Sequence, residues 1–275
     1  MREPAEKRGL RSAWGRVAEV YDDMWGARTA HITARGLDML APAPGDRGVD
    51  VACGPGLTTA ALADRLGGGT ALGVDFAPEM VDSAMARFGG RDDVSFAVDD
   101  AERLSLEPGS ADVLTCTLGL MYCYDAAAAL RGAAEVLRPG GRMLQIVWGH
   151  APAVWWVPVI EMIETRAAYF SAVCPMMFFY GLPGVLPRMV AEAGLGLVDS
   201  LTLDATMAFA DVDEAVEAAI HGGPLAGLYR HRLDDAARQE VRDLFTDHVA
   251  RVATPAPEGI RVPAEAAMVV AERPA

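Results

Sequence analysis

Residues 49–58 read Val49-Asp50-Val51-Ala52-Cys53-Gly54-Pro55-Gly56-Leu57-Thr58. A short β-type run from Gly48 to Ala52 meets two glycines and then a helical pattern, so the stretch is a strand, a tight turn and a helix start. Gly54 and Gly56 permit the turn and leave no side chain where a ligand would approach the backbone. Asp75 follows nineteen residues after Gly56, closing the second β-type run Ala71-Leu72-Gly73-Val74-Asp75. A carboxylate at that strand end can accept from both hydroxyls of a ribose lying across the sheet edge. The pair therefore reads as a nucleoside site. Thr59 stands where a dinucleotide fingerprint would have its third glycine, and Pro55 and Asp50 disfavour a pyrophosphate. An uncharged or cationic ligand fits better.

Outward from this turn the pattern alternates. Helices are expected over 57–66, 78–88 and 126–137, and strands over 70–74, 94–97, 112–117 and 142–148. Alternation of this kind implies βαβ units, a mostly parallel sheet and helices on both faces. Before the first strand, Trp14, Val17, Tyr21 and Met24 recur at helical spacing, and a second helix is expected over Ala30–Leu40. Toward the other end, Leu197–Leu203 and Ala266–Val270 read as strands. Helices are expected at 185–193, near 211–220 and at 233–252. The expected fold is a doubly wound, seven-stranded α/β domain over 1–275: a helical cover (1–44), a ligand-binding core (45–150), an aromatic insertion (151–190) and a completion of the sheet (191–275).

Composition narrows the function. The chain is 52% apolar and 23% charged, as expected of a protein with a sizeable core. Its net charge of −14 and pI near 4.7 argue against nucleic acid, whose affinity comes mainly from Lys and Arg. Lys7 is the only lysine, which with the Ala and Gly load reads as codon bias. Cys53, Cys116, Cys123 and Cys174 form no C-x-x-C pair and have no histidine at zinc spacing, so they read as reduced, buried fillers and no metal is expected. The N-terminal residues lack an apolar signal region, and Pro175, Gly181, Pro183 and Gly184 interrupt the uncharged run 167–187. A cytoplasmic protein without a membrane span is expected.

Five motifs, in order, resemble those of class I S-adenosylmethionine-dependent methyltransferases, in the menaquinone/ubiquinone-methyltransferase-like group. They are DVACGPG (50–56), GVDFAPEM (73–80), VDDAERLSL (98–106), ADVLTCTLGLMYCYD (111–125) and EVLRPGGRM (135–143). The resemblance implies S-adenosylmethionine as cofactor. It would set Gly54, Gly56 and the Ala52 carbonyl along the methionine part, Asp75 on the ribose, and Phe76 and Met80 on the adenine faces. Asp100 and the Ala101 amide would meet the adenine edge, the Thr117 carbonyl the ammonium, and Tyr21 would fold over the methionine end. Two departures stand out. Ala77 replaces the usual serine cap before Pro78, and Met121 and Tyr122 stand where relatives often carry histidines.

Methyl transfer from a sulfonium needs position first, worth about 7–11 kcal/mol, whereas a general base adds about 10²–10⁴-fold. His150, just past the fifth core strand, is the preferred base candidate, with Tyr122 as the alternative and His31, His221, His231 and Glu161 further away in sequence logic. The insertion carries Trp155, Trp156, Tyr169, Phe170, Phe178, Phe179 and Tyr180, with Met162, Met176 and Met177. It reads as a lid over an apolar acceptor, with Trp156, Phe179 and Tyr180 touching it. The same composition also fits a thick patch of core and subunit interface, compatible with a homodimer. The expected activity is methylation of a small hydrophobic or aromatic metabolite in secondary-metabolite tailoring. Two alternatives stay open: a cyclisation or decarboxylation using the cofactor electrostatically, and a non-catalytic nucleoside-binding module.

Overall fold

The computed structural model describes residues 4–169 and 176–275. The first half lays down five parallel strands, β1 (Arg47–Val51), β2 (Thr70–Asp75), β3 (Val94–Val98), β4 (Ala111–Thr117) and β5 (Leu137–Trp148), mostly buried except for β3, which is a largely exposed edge. Between them run α4 (Leu57–Arg65), α5 (Pro78–Phe88) and α6 (Ala126–Val136). The complete seven-stranded sheet has the order β3-β2-β1-β4-β5-β10-β6, in which β6 (Gly196–Asp204) is an edge and β10 (Glu265–Glu272) pairs antiparallel with both neighbours. The strand order reverses between β1 and β4. Ligands of open α/β sheets bind outside the carboxyl ends of the strands at such a switch point.

The N-terminal cover differs from a single amphipathic helix. It is α1 (Ala5–Gly15), the single turn α2 (Ala18–Tyr21), a π-helical turn (Asp22–Gly26) and α3 (Ala27–Leu40), with Trp14 and Tyr21 thus on separate turns. π-turns open the backbone ladder and occur often at functional sites. The aromatic insertion is largely helical, as α7 (Val157–Arg166), α8 (Met176–Phe179) and α9 (Val185–Glu192). Phe170, Cys174 and Pro175 lie outside the described residues.

In the C-terminal part the two expected helices form as α10 (Val212–His221) and α12 (Asp235–Val252), and a short third, α11 (Ala226–Arg232), lies between them. The sequence reading also overlooked a second sheet, β7 (Met207–Phe209), β9 (Gly259–Val262) and β8 (Thr254–Ala256), all antiparallel. Its strands are three or four residues long, one holds Pro255 and another starts on Gly259, so no two-residue alternation had room to show.

Trp155 and Trp156, expected on a lid, are buried core residues. Trp156 meets Trp148 edge-on at 4.6 Å and Trp25 at 5.3 Å, while Trp155 stacks on Phe245 at 5.8 Å. Two indoles on successive residues are enough to anchor α7 to the sheet, since each buries a large apolar area. Among the described residues no helix is long and apolar enough to cross a membrane.

Candidate cofactor and acceptor site

Asp50 is the structural pin beneath the glycine turn. It pairs in register with Gly73 of β2 and Thr115 of β4, and its carboxyl accepts from the hydroxyls of Thr59 and Thr115, both at 2.7 Å. Gly73 is required here because a Cβ would lie 2.7 Å from the Thr59 hydroxyl. Burial pushes the Asp50 carboxyl up to about 7, against the pull of the two hydroxyls and with a contribution from the Asp75 charge. Three elements, β1, β4 and α4, are thereby held together just below the turn.

Asp75 ties the turn to the end of β2. Its carboxylate accepts from the Gly54 amide and from the Ala77 amide, both at 2.9 Å. The second bond satisfies the Ala77 amide; the helix that follows has no side-chain cap, and Pro78 at its first position has no amide to satisfy. Burial raises Asp75 to about 6, opposed by the backbone amides it accepts from. Tyr21 is pushed up to about 12 by burial and then by the Asp75 charge, so its hydroxyl keeps its proton at neutral pH.

Ala52 and Leu118 end β1 and β4 in the left-handed region, with φ of 57° and 59°. Each such residue costs on the order of 1 kcal/mol, and strain of this kind collects at functional sites. The two strand ends also approach closely, since a Cβ on Gly119 would sit 2.4 Å from that of Ala52.

Around these ends opens a cavity of about 850 Å3. Of the residues the sequence assigned to the cofactor, Tyr21, Ala52, Gly54, Asp75, Phe76, Met80, Asp100, Ala101 and Thr117 all line it. Gly56 does not. Its φ of 90° serves the turn, and a Cβ there would meet Phe96 at 2.9 Å and Ala84 at 3.1 Å, inside the core. A Cβ on Gly54 would meet nothing within 4 Å, so Gly54 is the glycine that leaves the cavity open.

Lys7 was missed. Its ammonium lies 2.7 Å from Asp100 and 2.9 Å from Glu102, and all three residues line the cavity. Burial would lower its pKa, but the two carboxylates outweigh that and hold it above the ordinary value. The signal in the sequence was its being the sole lysine. Asp22, on the π-helical turn, is the other missed residue; it pairs with Arg87 and keeps its Oδ1 buried without a partner. Thr117 likewise has a buried hydroxyl without a partner.

His150 stands beyond β5 as expected, yet it pairs with Glu265 at 3.1 Å and lines no part of the cavity. Tyr122 does line it. Trp156 borders a smaller recess next to the cavity, Phe179 is exposed, and Tyr180 is buried elsewhere; neither of the last two borders either space. Among the described residues no cluster could hold a metal ion.

Residues 49–141 match the family model described as a methyltransferase domain. A ubiquinone/menaquinone biosynthesis C-methyltransferase of Caulobacter vibrioides is 35% identical over 186 residues, 62% of this chain and 71% of that one. The chain belongs to the class I S-adenosylmethionine-dependent methyltransferases. Another relative of this methyltransferase, a demethylmenaquinone methyltransferase of Beutenbergia cavernae, is 37% identical over 122 residues, 44% of this chain. The chain spans about half the length of that relative (48%). The fold is also that of a solved methyltransferase structure from Bacillus halodurans, with a TM-score of 0.63, 17% identity and 88% and 99% of the two chains covered. S-adenosylmethionine is the family's cofactor. The cavity of this methyltransferase fits it chemically: an open glycine, a carboxylate at a strand end, a buried hydroxyl without a partner, and six carboxylates in the lining against three cations, a balance that suits a sulfonium and an ammonium.

Proposed function

We propose that this protein transfers a methyl group from S-adenosylmethionine to a small hydrophobic or aromatic acceptor, in the tailoring of secondary metabolites. The observation that carries the reading is Asp75, which reaches from the end of β2 to the Gly54 amide and borders the cavity at the switch point of the sheet. In this reading Asp75 holds the ribose hydroxyls, and Phe76 and Met80 flank the adenine. The backbone at Ala52 and Gly54 and the Thr117 hydroxyl receive the amino-acid end. Bound there, the cofactor supplies a methyl already activated by its sulfonium charge.

The rest is positioning. No histidine of the described residues lines the cavity, and Tyr21 holds its proton too tightly to act as a base. The residues therefore orient the acceptor and exclude water, and an acceptor whose own nucleophile is competent near neutral pH suits the site best. The test is incubation with methyl-labelled S-adenosylmethionine and a panel of neutral phenols, amines and activated-carbon acceptors. Label in an acceptor, lost in Asp75→Ala, is the expected result. Tight binding of S-adenosylhomocysteine with no transfer to any acceptor would overturn the transferase assignment.

A further inference from the structure

Lys7 lies outside the residues that match the methyltransferase family model, yet it lines the cofactor cavity. It shares one face of α1 with Trp14, two helical turns further on, and both residues border the cavity. The far end of α1 is held by packing. Trp14 sits edge-on to Tyr21 at 5.7 Å and to Tyr122 at 4.8 Å, and Gly15 has no Cβ, which lets the Glu79 carboxylate of α5 lie against it. The near end is held by Lys7 alone among these contacts, through the loop after β3.

Counting donors and acceptors shows where the effect of Lys7 falls. An ammonium has three protons, and Lys7 has three acceptors for them: Asp100 Oδ1 at 2.9 Å, Asp100 Oδ2 at 2.7 Å and Glu102 Oε2 at 2.9 Å. The lysine is therefore spent on the protein and has no proton left for a ligand. Asp100 Oδ1 takes a second donor, the Glu102 amide at 3.1 Å, which uses both of its lone pairs. Oδ2 accepts only from Lys7 among the described residues and keeps one lone pair. Glu102 is tied on its other oxygen by the Tyr124 amide at 2.8 Å, and it is the more enclosed of the two acids, its side chain 16% exposed against 33% for Asp100. One oriented carboxylate oxygen, Asp100 Oδ2, is thus offered to the cavity.

We propose that Lys7 is a positioning residue for the cofactor's purine: it fixes Asp100 so that the spare Oδ2 lone pair meets the 6-position, and thereby sets a preference for a 6-amino over a 6-oxo purine. The inference rests on the methyltransferase reading of the cavity, with Asp100 at the adenine edge. A 6-amino group donates to that oxygen. A 6-oxo group brings a second acceptor against it and leaves both unpaired. Without Lys7 the Asp100 and Glu102 carboxylates repel each other, and Asp100 loses the side-chain partner that holds both of its oxygens. The purine then meets a carboxylate whose direction is no longer set, and the preference shrinks.

The experiment titrates S-adenosylhomocysteine and its 6-oxo counterpart S-inosylhomocysteine by calorimetry into wild-type protein and Lys7→Met, beside thermal melts. A double variant, Lys7→Met/Glu102→Ala, removes the facing carboxylate without adding a donor and supplies the same comparison should Lys7→Met not fold. Wild-type protein should prefer the adenine compound by about tenfold or more, the scale of a hydrogen bond to a charged group. In the folded Lys7 variants the preference should shrink to about threefold or less, with most of the loss on the adenine compound. A lysine that merely holds α1 down weakens both compounds by the same factor, so an unchanged preference in a folded variant would overturn the proposal. Equal binding of the two compounds by wild-type protein would overturn it as well. Failure of wild-type protein to bind either compound would instead strike the methyltransferase reading on which it rests.

Discussion

The ammonium of Lys7 sits 2.7 Å from Asp100 and 2.9 Å from Glu102, joining the first helix to the loop after β3 on the cavity wall. The lysine is nearly buried and its partners are partly exposed, so the pair stands between a surface bridge and a buried one. Lys7→Met should cost about 1–3 kcal/mol, because it leaves two carboxylates facing each other. Denaturant melts measure this, and a second readout is available since the chain has one lysine. Amine labelling of Lys7 should be far slower in the folded protein than in urea. A rate equal to that of an exposed lysine would mean that α1 is not held down.

The two glycines of the turn should fail in different ways. Gly54→Leu puts its side chain into open cavity, and we expect S-adenosylhomocysteine binding to be lost while the melting temperature falls only by the strain of a left-handed leucine, about 1–2 kcal/mol. Gly56→Ala forces a Cβ against Phe96 and should cost more stability than Gly54→Ala, with binding following the folded fraction. Calorimetry beside thermal melts separates the two.

Two buried acids set a pH dependence. The folded-state pKa values of Asp50 and Asp75, about 7 and about 6, lie above the unfolded value of 3.8, so the native state holds more protons between those limits. Their contribution to stability is full below about pH 4 and is lost as pH rises through 6 and 7. Asp50→Asn, which mimics the protonated form, should flatten that fall, as read from melts at constant ionic strength between pH 4 and 8. Cofactor affinity should run the opposite way. Protonating Asp75 removes an acceptor for ribose hydroxyls, so S-adenosylhomocysteine should weaken below about pH 6, and Asp75→Asn should abolish that dependence.

Trp156→Ala should cost about 3–5 kcal/mol, because it opens the indole cluster of Trp25, Trp148 and Trp155. Phe179→Ala, at an exposed position, should stay within about 0.5 kcal/mol. A lid in which both rings cover the acceptor predicts similar, mild stability effects and a shared loss of acceptor binding. Urea titrations of the two variants decide between these patterns.

The cofactor half was legible because backbone geometry dictates it locally. A strand, a glycine turn and an acid at the next strand end, and with them Gly54, Gly56 and Asp75, can be read from spacing alone; the other seven cofactor residues came from the resemblance to the methyltransferases, and nine of the ten meet in one cavity. The tenth, Gly56, shows the limit, since spacing marks a glycine as necessary without saying whether its missing side chain would face ligand or core. The aromatic recess beside the cavity depends on contacts across long sequence separations. Trp14, Trp25, Trp148 and Gly222 meet only because helices from both ends of the chain pack over the same strand ends, and no local pattern encodes that. The aromatic density of 151–190 read first as a lid over the acceptor, whereas Trp155, Trp156 and Tyr180 are buried in the protein's own core, the alternative that the same composition allowed.

The place of β10 between β5 and β6 also bears on how the chain folds as it is made. β6 is finished about sixty residues before β10 begins, yet the two pair directly and β6 touches no other strand of the large sheet. During synthesis the five parallel strands can assemble on their own, while β6 waits without a neighbour and β5 keeps an open edge. Both exposed edges close in one event when residues 265–272 leave the ribosome. That makes the interval before their arrival the window in which nascent chains are most open to strand exchange with one another and to capture by chaperones.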